Sequence, residues 1–212
     1  MADIPWTWLA IRGTGLTAWA LLTAVVIWGI LLRTRLLGRL APPKKLLEAH
    51  RWLGATALAF LALHLLLLLI DPVVQFSVAQ LLIPGIAPWE PVAVAFGVLA
   101  VYALIPVSIV GRIRTRLGKS GNTWFKRTHL VSYAAWPLAT AHYVMAGTDA
   151  LAMWSLALLG AGTALIVLAL LVRGFVPPPA PPARKLSAKA ANAVTAPERE
   201  ATQDKEASLT SA

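Results

Sequence analysis

His50-Arg51-Trp52-Leu53-Gly54-Ala55-Thr56-Ala57-Leu58-Ala59-Phe60-Leu61-Ala62-Leu63-His64 leads without a break into Leu65-Leu66-Leu67-Leu68-Leu69-Ile70. From Trp52 to Ile70 the run is apolar and long enough to cross a bilayer as a helix. An ionisable side chain placed in such a run is costly and marks a functional position. The chain has only four histidines, and the other two, His129 and His142, bracket a second apolar stretch. Both intervals, fourteen and thirteen residues, correspond to roughly 20 Å along a helix.

Working outward, five stretches qualify as membrane helices: about Leu16 to Leu32, Trp52 to Ile70, Val92 to Val110, Leu130 to Met145 and Ala150 to Val172. With 58% hydrophobic and 13% charged residues, the composition lies outside the soluble globular range. The expected fold is all-α, an integral membrane bundle of five transmembrane helices. A short extracytoplasmic N-terminus covers 1–15, the membrane domain 16–173, and a Pro/Ala-rich disordered cytoplasmic tail 174–212.

Positive charge follows alternate spans. Arg33, Arg35, Arg39, Lys44, Lys45 and Arg51 come after the first, and Arg112, Arg114, Arg116, Lys119, Lys126 and Arg127 after the third. The other loops hold only Asp71, Glu90 and Asp149. The positive-inside rule then places the N-terminus outside and the C-terminus in the cytoplasm, in a plasma (inner) membrane. It also accounts for the net charge of +10 without nucleic acid as a partner. No cleavable signal peptide is evident, so the first span is expected to remain as an anchor.

The absence of cysteine excludes thiolate metal sites, iron-sulfur clusters and covalent haem attachment. Imidazole remains. The second and fourth spans run in the same direction, so His50 matches His129 in depth and His64 matches His142. Haem iron takes two axial ligands from opposite sides, and two co-directional helices supply that arrangement twice. The alternative is hydrogen bonding or proton transfer by membrane histidines in a non-redox protein.

Thirteen residues turn an ideal helix roughly 140° away from its starting face, so His129 and His142 cannot both serve on a straight helix. A distortion near Pro137 is expected. Candidate partners for anionic haem propionates are Arg51 and Arg127 at the inner site and Arg12 at the outer. Trp136, midway between His129 and His142, is a candidate to fill the space between the two haem edges.

Glu48-Ala49-His50-Arg51-Trp52-Leu53-Gly54, Leu61-Ala62-Leu63-His64, Arg116-Leu117-Gly118 leading to Trp124 and Thr128-His129-Leu130, and Ala141-His142-Tyr143 together resemble the ferric reductase-like transmembrane domain. The group includes ferric reductases, NADPH oxidases and the haem subunit of periplasmic methionine sulfoxide reductase systems. The similarity covers about Arg12 to Val172. It implies electron transfer across the membrane through two non-covalent b-type haems, with the four histidines as axial ligands.

Two features depart from the pattern. Family members commonly place the ligands on the third and fifth of six spans, whereas here they fall on the second and fourth of five. No dinucleotide fingerprint follows the last span. The expected donor is therefore a separate reductase, quinol, or FMN or quinone held at a face, and the acceptor is extracytoplasmic. A haem subunit of a methionine sulfoxide reductase system is the alternative redox reading.

Overall fold

The computed structural model describes residues 6–34, 36–37, 40–113 and 116–176, apart from the side chain of Lys119. The helices are α1 (Trp6–Leu31), α2 (Pro43–Ile70), α3 (Val78–Leu82), α4 (Pro91–Ile113), α5 (Gly118–Ser132), α6 (Ala135–Ala146) and α7 (Met153–Phe175), and no strand forms among the described residues. Four of them, α1, α2, α4 and α7, are long and apolar enough to cross a membrane. The protein is an all-α multi-pass membrane bundle. Beyond Val176, the expected tail lies outside the described residues.

The stretch expected as one fourth span is two helices. Pro137 has no N–H to give the carbonyl four residues earlier, and its ring crowds that carbonyl, which belongs to Tyr133. Helix α5 stops there. Tyr133 and Ala134 donate instead to Leu130 (3.2 Å) and Val131 (3.0 Å), a tighter three-residue step that changes the phase of the helix before α6 begins. The expected distortion thus falls on the turn just before the proline.

Together α5 and α6 run the depth of the bundle. Thr7 donates to Asp71 (2.7 Å), joining the start of α1 to the end of α2, while Trp28 Nε1 donates to the Leu46 carbonyl (2.9 Å), joining the end of α1 to the start of α2. His129 of α5 lies beside His50 near the start of α2, and His142 of α6 lies beside His64 toward its end. We call these the basic and the acidic ends, after the charges of their connecting loops.

Helix α1 begins ten residues earlier than its apolarity suggests, at Trp6. Its first turns contain Arg12, Gly13, Thr14 and Gly15, which interrupt the hydrophobic run. Thr14 and Thr17 return their hydroxyls to the carbonyls of Ala10 and Gly13 (both 2.7 Å), and Arg12 pairs with Asp149, so the polar groups are satisfied within the helical conformation. Between α2 and α4, α3 is fixed by a capping box. The Ser77 hydroxyl accepts from Gln80 N–H (3.4 Å) and the Gln80 side chain accepts from Ser77 N–H (2.8 Å).

At mid-depth α1 and α6 hold each other reciprocally. Trp19 Nε1 donates to Thr140 Oγ1 (3.0 Å) and Trp136 Nε1 donates to Thr23 Oγ1 (2.9 Å). Each threonine in turn donates to the carbonyl of the tryptophan four residues before it, at 2.9 and 2.8 Å. Every polar hydrogen of the four side chains has an acceptor, which the low-dielectric interior demands. Helix α7 closes over this clasp through Gly162, where an added Cβ would lie 2.9 Å from the Trp19 ring. Gly162→Ala is therefore expected to destabilise the bundle by about 1–3 kcal/mol, the usual range for overpacking, seen as a shorter half-life on heating in detergent.

Candidate functional site

A cavity of about 1440 Å³ extends through the bundle and is lined by all four histidines. Among the described residues no cluster of three or more His, Cys, Asp or Glu forms. The histidines come in twos, from different helices. His64 of α2 faces His142 of α6 with ring centres 6.4 Å apart and planes crossed at 74°. His50 of α2 faces His129 of α5 at 6.4 Å and 72°.

The separation has a chemical meaning. A bond from a metal to an imidazole nitrogen is about 2.0 Å, and the ring centre lies roughly 1.2 Å behind that nitrogen, so two imidazoles on opposite sides of one ion have centres about 6.4 Å apart. Both pairs have this spacing. The sequence-derived pairing by depth is the one the fold brings together, and the break before α6 lets His129 and His142 each reach its partner.

At the acidic end the free ring nitrogen is defined. His64 Nδ1 donates to the Ile11 carbonyl (2.9 Å) and His142 Nδ1 to the Ala93 carbonyl (2.8 Å). A carbonyl can only accept, so each Nδ1 carries the proton and each Nε2 keeps a lone pair for ligation. At the basic end, Nδ1 of His50 and of His129 are buried without a hydrogen-bond partner. Ring packing holds His129 instead, with Phe125 stacked at 5.3 Å and Tyr133 edge-on at 5.6 Å.

The cationic candidates divide. Arg51 lines the cavity at the basic end, as do Arg33 and Arg112, two residues whose role in the loops' positive-inside pattern concealed them. Arg127 is exposed and lies over the Trp124 ring, 5.9 Å from its centre. At the acidic end Arg12 lines the cavity while pairing with Asp149 and lying 4.0 Å from the centre of the Trp8 ring. Trp136 packs against Trp19, with centres 6.5 Å apart, and of the two it is Trp19 that lines the cavity. Trp-x-x-x-Thr recurs at 19–23, 52–56, 124–128 and 136–140, so the pattern alone does not single out the pair that clasps α1 to α6.

Comparison with curated proteins and with solved structures finds no match. The family described as "Ferric reductase like transmembrane component" matches residues 14–140, more than half of the chain and a span that includes His50, His64 and His129. With its bundle of membrane-crossing helices, the chain belongs to the ferric reductase-like transmembrane family, whose role is redox transfer across the membrane.

Proposed function

We propose that the protein is a di-haem b-type cytochrome that carries electrons between the two membrane faces, with one haem held by His64 and His142 and the other by His50 and His129. The observation that carries this reading is the 6.4 Å separation of the imidazole centres in both pairs. When bound, such a cofactor supplies one-electron chemistry at iron, with its potential tuned by ligation and burial. The cavity exceeds the roughly 300–1,000 Å³ of a pocket for one small molecule, which suits two large flat groups.

The chain's own residues then have distinct roles. Haem would be held by Nε2 of His64 and His142 at one site and by the imidazoles of His50 and His129 at the other; the Ile11 and Ala93 carbonyls hold the first two rings in the ligating tautomer, and the surrounding apolar side chains exclude water. Arg51, Arg33 and Arg112 are the propionate partners at the basic end, with Arg127 further out, and Arg12 serves at the acidic end. Trp19 lines the cavity at a depth between the two sites, and Trp136 packs behind it. In the orientation set by the basic loops, electrons enter on the cytoplasmic side from a separate reductase, quinol, or FMN or quinone at that face. They leave to an extracytoplasmic acceptor.

The test is the absorption spectrum of protein purified after haem-sufficient growth. Two haems per chain are expected, reducible by dithionite and low-spin in both oxidation states. The crossed imidazole planes further predict a strongly anisotropic low-spin ferric EPR signal. A folded protein without Soret absorbance overturns the proposal and leaves the non-redox reading of the histidines.

A further inference from the structure

In an α-helix each Cβ leans toward the N-terminus, so a side chain at position i covers the turn before it, including the carbonyl at i−4. A glycine uncovers that carbonyl. On α1, Gly15 and Gly29 are fourteen residues apart, the same interval as His50 and His64 on the antiparallel α2. A Cβ built on Gly15 would lie 3.0 Å from both Cε1 and Nδ1 of His64, and one on Gly29 would lie 3.1 Å from Cε1 of His50.

Helix α4 repeats the arrangement. A Cβ on Gly97 would meet Nδ1 of His142 at 3.0 Å and its Cε1 at 3.2 Å. The carbonyls that accept from His64 and His142 belong to Ile11 and Ala93, each four residues before the glycine that the ring touches. The imidazole therefore reaches the carbonyl through the notch that the missing side chain leaves. At Gly29 the notch seats the ring without that bond, since Nδ1 of His50 has no partner.

We infer that Gly15, Gly97 and Gly29 are positioning residues of the two haem sites, the first two for the His64–His142 site and the third for the His50–His129 site. This rests on the haem reading and goes beyond it. Any side chain at these positions pushes an axial imidazole toward the cavity, and at Gly15 or Gly97 it also covers the carbonyl that sets the tautomer. Gly160 on α7 has nothing within 4 Å of an added Cβ and serves as the control.

The experiment is haem content per chain and difference spectra for Gly15→Val, Gly97→Val, Gly29→Val and Gly160→Val, with His64→Ala and His50→Ala as references. Gly15→Val and Gly97→Val are expected to retain one haem, with the spectrum left by His64→Ala. Gly29→Val is expected to retain one with the spectrum left by His50→Ala, and Gly160→Val to retain both. A milder change, Gly15→Ala, is expected to keep both haems and shift the midpoint potential of one.

Loss of the wrong haem or of both haems in a valine variant overturns the inference, as do two haems with parental spectra. An unshifted pair of potentials in Gly15→Ala does the same. These results would leave the haem reading standing wherever the parent binds two. A parent that binds none overturns the haem reading itself.

Discussion

His64→Ala is expected to halve the haem content and to stop electron flow from one membrane face to the other, while the remaining haem stays reducible. One axial ligand cannot hold a bis-imidazole site built at a fixed separation, so His142→Ala should give the same product. The informative forms are the double substitutions, because groups that act as one unit are not additive. His64→Ala with His142→Ala should still retain one haem, and so should His50→Ala with His129→Ala. Substituting one member of each pair, His64→Ala with His129→Ala, should leave none. Haem counting in these three proteins tests the pairing directly, and a haem retained in the cross-pair form would contradict it.

Trp19→Ala is expected to be the most destabilising single change outside the histidines. Trp19 is 4% exposed, donates to Thr140, packs on Trp136 and Tyr143, and fills the depression at Gly162. Among helices in lipid, association depends on close packing rather than on escape from water. Removing an indole that three helices share should cost about 3 kcal/mol or more, the usual scale for a buried tryptophan replaced by alanine. Thr140→Val separates the contributions. It leaves the Trp19 ring in place and removes the hydroxyl that accepts its indole N–H, so it should cost about 0.6 kcal/mol, the average for an interhelical hydrogen bond in a membrane. Thermal inactivation half-lives in detergent measure both, and equal losses in the two variants would show that the hydrogen bond rather than the packing dominates.

The residues that could be read in advance were those whose cost in lipid is high. Four histidines in apolar runs, basic loops after alternate spans and the thirteen-residue phase error were sufficient for the bundle, the pairing and the need for a break. The position of that break followed from Pro137 only once the carbonyl it opposes, that of Tyr133, was identified. The early start of α1 was hidden because Arg12 and the glycines lower apolarity locally. Their compensation comes from Asp149, more than a hundred positions away.

Other features were hidden for different reasons. Helix α3 depends on a two-residue capping exchange too short to have a periodic signature. Arg33 and Arg112 were indistinguishable from the cations that set topology, because the same charge in the same loop serves either purpose. The glycines carried a signal, the repeated interval of fourteen at 15 and 29 and at 97 and 111, but its meaning depends on which helices are neighbours.

The division of α5 from α6 bears on how the chain enters the membrane during synthesis. Helix α6 has twelve residues and α5 carries Lys126, Arg127 and His129, so neither is a self-sufficient spanning segment for the translocation machinery. Both pack along α4. The polypeptide from Pro91 to Ala146 is accordingly expected to integrate as one hairpin, with the residues that join its two arms deciding whether it does.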